Sequence, residues 1–413
     1  MLNQIINLPK LRFGEFEGEY KEHLFHDIFL FSTGKNIKQK EASPEFEIPC
    51  IRYGELYHMY NEVVYKIINR TNLDKSELLF SQGNEILLPS AGEDPLDIGS
   101  ASALTLKNIA IGRTINILRP KDKNIYSQKY VSYYINEKLK RKISTLAKGS
   151  SISNVYNSDL KKLKIILPTL DEQQKIDDFI TSIDKKIEQL NQKRTLLESY
   201  KKGVMQKIFS QEIRFKRDDG GVFEDWEEKR LFDLLIIQRG ASPRPIQSFI
   251  SYEGVNWIKI GDISEEAKYI EKTKQKITHE GAKKSRKIKP NDFILSNSMS
   301  FGRPYISKIH GCIHDGWLLM RNINKKVLSN DFLYELLSSE KIKKQFKSLA
   351  AGSTVNNLKS ETVRTVKVSL PQLEEQQKIS NFLTSIDQKI TQNNQVLEEM
   401  KAFKKGLLQQ MFV

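Results

Sequence analysis

Residues 167–187 read LPTLDEQQKIDDFITSIDKKI, and residues 370–390 read LPQLEEQQKISNFLTSIDQKI. Fifteen of the 21 positions are identical, at an offset of 203 residues. The same offset carries Gly149-Ser150 onto Gly352-Ser353 and Lys201-Lys202-Gly203 onto Lys404-Lys405-Gly406. Upstream the match is weaker but continues. Ile51-Arg52-Tyr53-Gly54-Glu55-Leu56 aligns with Ile258-Lys259-Ile260-Gly261-Asp262-Ile263 at offset 207, so the first copy carries four extra residues between about positions 95 and 127. The chain is a tandem duplication of one unit, a divergent block followed by a closely repeated helical block. Two near-identical surfaces on one polypeptide imply a two-fold symmetric partner, or two copies of one partner.

The pattern divides the chain into divergent blocks at 1–168 and 211–371 and helical blocks at 169–210 and 372–413. In the first helical block Ile176, Ile180, Ile183, Ile187, Leu190, Leu197, Val204 and Ile208 fall on alternating steps of three and four, passing over Arg194 and Lys201. In the second, Ile379, Leu383, Ile386, Ile390, Leu397, Met400, Leu407 and Met411 do the same, with Asn393 and Lys404 intruding. This is the a/d seam of a coiled coil. Each seam is too narrow to be buried alone, and the nearest partner is the other copy. A pseudo-two-fold axis across the helices then makes them antiparallel, a rod with a divergent block at each end. Thr169 and Glu172 have capping-box spacing, and Gln372 takes the place of Thr169 in the second copy.

The divergent blocks read as α/β. Short runs at 48–53, 255–260, 86–88 and 293–295 are strand candidates, and 163–167 and 366–370 read as closing strands before Pro168 and Pro371. Residues 127–146 and 330–349 have helical periodicity, and Gly149 and Gly352 lie where helix ends are expected. The expected class is therefore α+β, with two pseudo-symmetric α/β domains separated by two long helices in an antiparallel coiled coil.

Sixty-six basic against 51 acidic residues give a net charge of +15. The divergent blocks hold nearly all of it: +5 for residues 1–170 and +9 for residues 211–373. Such a surface suits a polyanion. Two cysteines, Cys50 and Cys312, form no disulfide framework, so a reducing cytoplasm is expected. The first residues lack the pattern of a signal peptide and no apolar run reaches membrane-spanning length, so neither a leader nor a membrane span is expected.

A basic protein with two unlike modules fits bipartite reading of double-stranded DNA, because the grooves recur every ~34 Å. Unlike modules would read unlike half-sites. In the second block the candidates are Arg239, Ser242 and Arg244 on one Gly/Pro-punctuated loop, and Asn297, Ser298, Ser300 and Arg303 on another. Arg pairs with guanine and Asn with adenine, while hydroxyls suit phosphates. In the first block they are Lys35, Lys38, Lys40 and Arg52, with Ser90 and Arg113 weaker. Each is equally explicable as an ordinary surface or turn residue. The lysine-rich run 272–289 reads as a solvated face. The Gly149 and Gly352 loops read as helix caps. His310-Gly311-Cys312-Ile313-His314 lacks the second ligand pair of a zinc site. No phosphate loop, nuclease carboxylate cluster or Asn-Pro-Pro-aromatic segment appears, so no catalytic residue, metal or cofactor is expected in this chain.

The duplicated Pro-x-Leu-(Asp/Glu)-Glu-Gln-Gln-Lys-Ile segments resemble the specificity (S) subunits of type I restriction–modification systems. So do the openings Pro9-Lys10-Leu11-Arg12-Phe13 and Ile213-Arg214-Phe215 followed by Glu224-Asp225-Trp226. The resemblance covers essentially the whole chain. It implies two target recognition domains, each reading half of a split site, and a helical ruler between them. It also implies two docked adenine methyltransferase subunits, which use S-adenosylmethionine, and restriction subunits that use ATP and Mg. It makes the helix-start residues Glu172, Gln173, Gln174, Glu375, Gln376 and Gln377 candidates for methyltransferase docking, against a plainer role in capping and dipole compensation. Other readings are the specificity subunit of a type IIB restriction enzyme, a self-sufficient DNA methyltransferase or nuclease, and a coiled-coil protein-binding scaffold.

Overall fold

The computed structural model describes residues 8–122, 124–149, 152–264, 267–297, 302–351 and 357–413. The chain forms two compact units. Unit 1 comprises residues 1–191 and 395–413, and unit 2 comprises residues 192–394. Both long helices, Leu170–Phe209 and Leu373–Met411, therefore contribute one segment to each unit.

The units repeat one topology. In unit 1 a five-stranded sheet runs in the order Phe29–Thr33, Ile115–Pro120, Glu85–Pro89, Ser102–Leu104, Val63–Val64. In unit 2 the order is Leu235–Arg239, Trp317–Asn322, Phe293–Ser296, Pro304–Ser307, Tyr269–Ile270. A second sheet holds Ile48–Ile51 parallel to Lys107–Ile111 in unit 1, and Val255–Ile258 parallel to Gly311–Ile313 in unit 2. The strands expected before Pro168 and Pro371 are present, Lys164–Leu167 and Lys367–Leu370, each antiparallel to a strand from the start of its unit. Ile86 pairs with Ala103 and Phe293 with Ile306, so the four-residue length difference falls in the connection between these strands.

Each unit has its main core between the five-stranded sheet and the helices. In unit 1 Phe25, Phe29, Ile86, Leu118, Tyr130 and Ile143 pack with Ile176, Ile180 and Ile183 of the first long helix and with Leu407, Leu408 and Met411 of the second. In unit 2 Leu234, Phe293, Leu318, Phe332 and Phe346 pack with Ile208 and Phe209 of the first and with Ile379, Leu383 and Ile386 of the second. In these outer stretches the seam packs against the other helix and a domain together, which is how a narrow apolar stripe becomes stable.

The seam lysines are partnered. In unit 1 the Lys404 ammonium lies 2.8 Å from Asp184 of the other helix and 3.0 Å from Glu62. It also sits over the Tyr133 ring, whose hydroxyl donates to Asp184. Burial alone would depress the Lys404 pKa, but the two carboxylates more than offset it and hold the pKa above the usual value. In unit 2 Lys201 lies 2.7 Å from Asp387 of the other helix and 3.2 Å from Glu335. Glu335 is fully buried, which raises its pKa against the opposing pull of Lys201 and Lys268. Within unit 1 residues 11–12 touch both Gln410 and Glu172, while Lys404 meets Asp184, so the helix segments are antiparallel. Within unit 2 Trp226 touches both Phe209 and Glu375, while Lys201 meets Asp387, with the same result. Each unit has one Lys–Asp pair between the helix segments, Lys404 with Asp184 in unit 1 and Lys201 with Asp387 in unit 2.

The structure corrects the reading of the helix starts. Glu172, Gln173, Glu375 and Gln376 are completely buried, so they have no face to offer a docking partner. Arg12 donates to both carboxylate oxygens of Glu172, each at 2.8 Å, and Tyr20 donates to it at 2.8 Å. Arg214 donates to Glu375 at 3.2 and 2.9 Å, and the Trp226 indole at 3.1 Å. The amide of Gln173 accepts from Ser127 N and donates to Ile125 O and Pro168 O. Gln376 does the same with Ser329 N, Val327 O and Pro371 O. These are pins between helix and domain, because a buried charge or amide persists only when its hydrogen bonds are satisfied. Gln174 and Gln377 stay exposed. The capping box is half formed: Thr169 Oγ1 accepts from Glu172 N, while the Glu172 carboxylate turns to Arg12.

The expected helix over 127–146 is present as Gln128–Tyr134, a π-helical stretch Ile135–Leu139 and Lys140–Thr145, ending before Gly149. Its counterpart is Asn330–Ser338 followed by Glu340–Ala351. Gly149 has φ +130°, and the residues that follow it, like 352–356, lie outside the described set, so the cap reading of those loops is not addressed. Among the described residues no helix is long and apolar enough to cross a membrane.

Candidate nucleic-acid interface

The chain leaves the first sheet strand through a glycine in each unit. Gly34 N donates to Ile115 O, and Lys35 N to Ile111 O. Gly240 N donates to Trp317 O, and Ala241 N to Ile313 O. A Cβ on Gly34 would stand 1.9 Å from Gly112 O, and one on Gly240 2.0 Å from His314 O. Only glycine permits the approach. It lays the exit loop flat against the turn at 112–114 in unit 1 and at 314–316 in unit 2. A third segment joins them, since Gly112 N donates to Ile51 O and His314 N to Ile258 O. Arg52 and Lys259 follow directly, their backbone N–H groups held by Glu55 and Asp262. One frame thus presents three equivalent segments in each unit.

The frame carries different chemistry in the two units. In unit 1 it gathers Lys35, Lys38, Arg52 and Arg113, and Lys40 follows in a short helical turn, Gln39–Glu41. The three lysines and Arg113 are exposed and Arg52 is half-buried. Asn36 and Ile37 at the loop tip have φ of 53° and 57°, and Arg113 N donates to Asn36 O. This surface is predominantly cationic, with the Glu41 carboxylate turned onto the Lys38 N–H, which suits phosphate or guanine.

In unit 2 the position equivalent to Arg113 is Asp315. Ser242 Oγ donates to its Oδ1 at 2.7 Å, and His314 Nε2 lies 2.9 Å from the same oxygen. The Gly316 N–H is accepted by His314 Nδ1, which leaves the proton on Nε2. Arg244 reaches Oδ2 at 3.2 Å. Arg239 Nε and Asn297 Nδ2 donate to the Asp315 carbonyl at 3.1 and 2.9 Å. Partial burial works to raise the Asp315 pKa, but the Ser242 hydroxyl, His314 and Arg244 together hold it below the usual carboxylate range. Asp315 is therefore an acceptor at neutral pH, beside Arg239, Arg244 and Lys259.

Of the residues expected to meet DNA in the second block, Arg239, Ser242 and Arg244 come together. Asn297 joins them only as a support: it is 4% exposed and its amide is spent on the Asp315 backbone, so it does not face a base. Ser298 and Ser300 lie outside the described residues. The Arg303 side chain lines a separate cavity of about 760 Å³ with Lys202, Lys343 and Lys347. Asp315 and Lys259 were not anticipated. Asp315 has the wrong sign for a phosphate ligand and Lys259 lies within the strand-candidate run 255–260; the Asp-Gly turn at 315–316 between two strands was the available signal.

Comparison with known proteins agrees with this architecture. The family model "Type I restriction modification DNA specificity domain" matches twice, over residues 18–199 and 223–402. The type I restriction enzyme MjaVIII specificity subunit of Methanocaldococcus jannaschii is 27% identical over 370 residues, 86% of this chain and 84% of that protein. The StySPI specificity subunit of Salmonella potsdam is 21% identical over 346 residues, 80% and 73% of the two chains. The solved S subunit of a type I restriction–modification system from M. genitalium superposes with a TM-score of 0.60 at 17% identity, covering 98% of this chain and 99% of that one. A chain from a structure describing complex assembly of the type I system gives 0.61 at 15%, covering 96% and 98%. At such identities the superpositions speak to the fold alone. With both halves matched by the family model, the chain belongs to the type I restriction–modification DNA specificity family.

Proposed function

We propose that this chain reads a split, asymmetric DNA site, each unit contacting one half-site through its three-segment frame. The observation that carries this reading is the pair of equivalent frames with opposite charge at one position, Arg113 in unit 1 and Asp315 in unit 2. A palindromic site would call for the same chemistry twice. The excess positive charge of both divergent blocks supports phosphate contact around each frame.

The chain itself is non-catalytic in this reading. Methyltransferase subunits would bring S-adenosylmethionine, and restriction subunits ATP and Mg. Two methyltransferase subunits would dock on the duplicated helices. With four of the six helix-start residues buried, docking falls to exposed repeated positions. Gln174 and Gln377 are one pair, and Tyr200 and Phe403, 54% and 52% exposed at the same offset, are a more apolar one. Exposed aromatics at equivalent positions suit two copies of one partner better than chance surface composition does.

The test is the methylated motif produced by the chain together with its methyltransferase subunits. The expected motif has two different outer half-sites separated by a gap of fixed length, and binding that weakens steeply with salt. Equal affinity for every DNA sequence, or modification of DNA by the purified chain alone, overturns the reading.

A further inference from the structure

Asp315 is the oddity of unit 2. An acid is repelled by phosphate, so on a DNA-facing surface it has either a structural task or a base to meet. Arg239 and Asn297 hold the turn through the Asp315 carbonyl, and Oδ1 of the carboxylate ties it to the exit loop through Ser242; Oδ2 is not needed for either bond. The carboxylate itself is fixed from one side, with Ser242 and His314 both on Oδ1. Oδ2 meets only Arg244 among the described residues, and Arg244 is 75% exposed.

A carboxylate accepts and cannot donate when ionised. In the major groove guanine offers two acceptors, thymine an acceptor and a methyl, and adenine a donor beside an acceptor. Cytosine offers the N4 amine alone. The acceptors of its guanine partner stand on the same edge of the pair. A guanidinium 3.2 Å from a carboxylate presents a donor and an acceptor side by side, the complement of a guanine acceptor beside a cytosine amine.

We propose that the Arg244–Asp315 pair reads one C·G base pair, Asp315 accepting from cytosine N4 and Arg244 donating to guanine O6 and N7. The equivalent position in unit 1, Arg113, has no acid and cannot make that reading, so the C·G requirement belongs to the unit 2 half-site alone. This rests on the DNA-reading function proposed above. Ser242 is a positioning residue: its hydroxyl fixes the carboxylate without meeting DNA.

The experiment is motif mapping with D315N and R244A in the full complex, on a randomised duplex library. Asp315→Asn is isosteric, keeps an acceptor for Ser242 and leaves the two bonds to the carbonyl intact. It adds a donor that cytosine does not need. The expected result is a loss of roughly 10- to 100-fold in the preference for cytosine at one position of one half-site. R244A should relax the same position. The other half-site and the gap stay unchanged. Unchanged letters in both variants, or an equal loss at every position, overturn the proposal while leaving the split-site reading standing. A wild-type complex with no sequence preference at all defeats that underlying reading instead.

Discussion

Arg12→Ala should destabilise unit 1 by roughly 3 kcal/mol, the low end of the cost of orphaning a buried charge. The Glu172 carboxylate has no exposed surface and receives two of its three side-chain donors from Arg12. Removing the guanidinium leaves a buried anion with only the Tyr20 hydroxyl among its side-chain donors. Arg214→Ala should act equally on unit 2 through Glu375, where the Trp226 indole is the remaining donor. The two are separable by spectroscopy, because Trp226, Trp257 and Trp317 all lie in unit 2. Urea unfolding followed by tryptophan fluorescence should shift for Arg214→Ala and stay put for Arg12→Ala, with circular dichroism reporting the latter. A midpoint unchanged in both variants would mean these carboxylates are not the pins described.

Lys404→Ala should cost about as much, for a related reason. It leaves Glu62 and Asp184 facing each other with no cation, and adds like-charge repulsion to lost pairing. Lys404→Met with Asp184→Asn and Glu62→Gln should recover much of the loss, because a half-buried ion cluster replaced as a whole by neutral groups is less costly than one broken in part. The measurement is again unfolding by circular dichroism. A single variant as stable as the parent, or a triple variant worse than the single, contradicts the account. The further consequence concerns register. Polar groups in a coiled-coil seam reduce stability and specify alignment. Here a Lys–Asp pair from one helix to the other occurs once in each unit, so sliding the helices by a turn would strand four charges.

Those lysines mark the limit of what could be read from the chain. The duplication, the α/β blocks, the seam and the closing strands were legible because each rests on local spacing, which fixes which face of an element is apolar. Lys201 and Lys404 looked like interruptions of the seam, since their partners lie 186 and 220 residues away in Asp387 and Asp184. The Glu-Gln-Gln segments were misread for the same reason. An acid in the first turn of a helix is ordinarily a solvated cap, and only the fold brings Arg12 or Arg214 about 160 residues along the chain to meet it. Of the candidates for DNA contact, the cations and hydroxyls on the exit loops were named from loop chemistry, and the fold brings Arg239, Ser242 and Arg244 together. The turn that completes the frame was partly missed, because Asp315 has the wrong sign for a phosphate ligand and reveals a role only once Ser242, His314 and Arg244 are seen around it.

If the units read DNA as proposed, the two helices would set the distance between two unlike readers. That claim is tested most directly by inserting one helical turn into both helices, between Leu190 and Arg194 and between Asn393 and Leu397. These points lie between the paired lysines and aspartates, so both ion pairs survive. One turn adds about 5.4 Å, one to two base pairs at ~3.4 Å each. Methylation mapping should show the same outer letters around a gap lengthened by that amount, while an insertion into one helix alone should lose activity. An unchanged gap in the doubly lengthened chain, or altered outer letters, would contradict the claim.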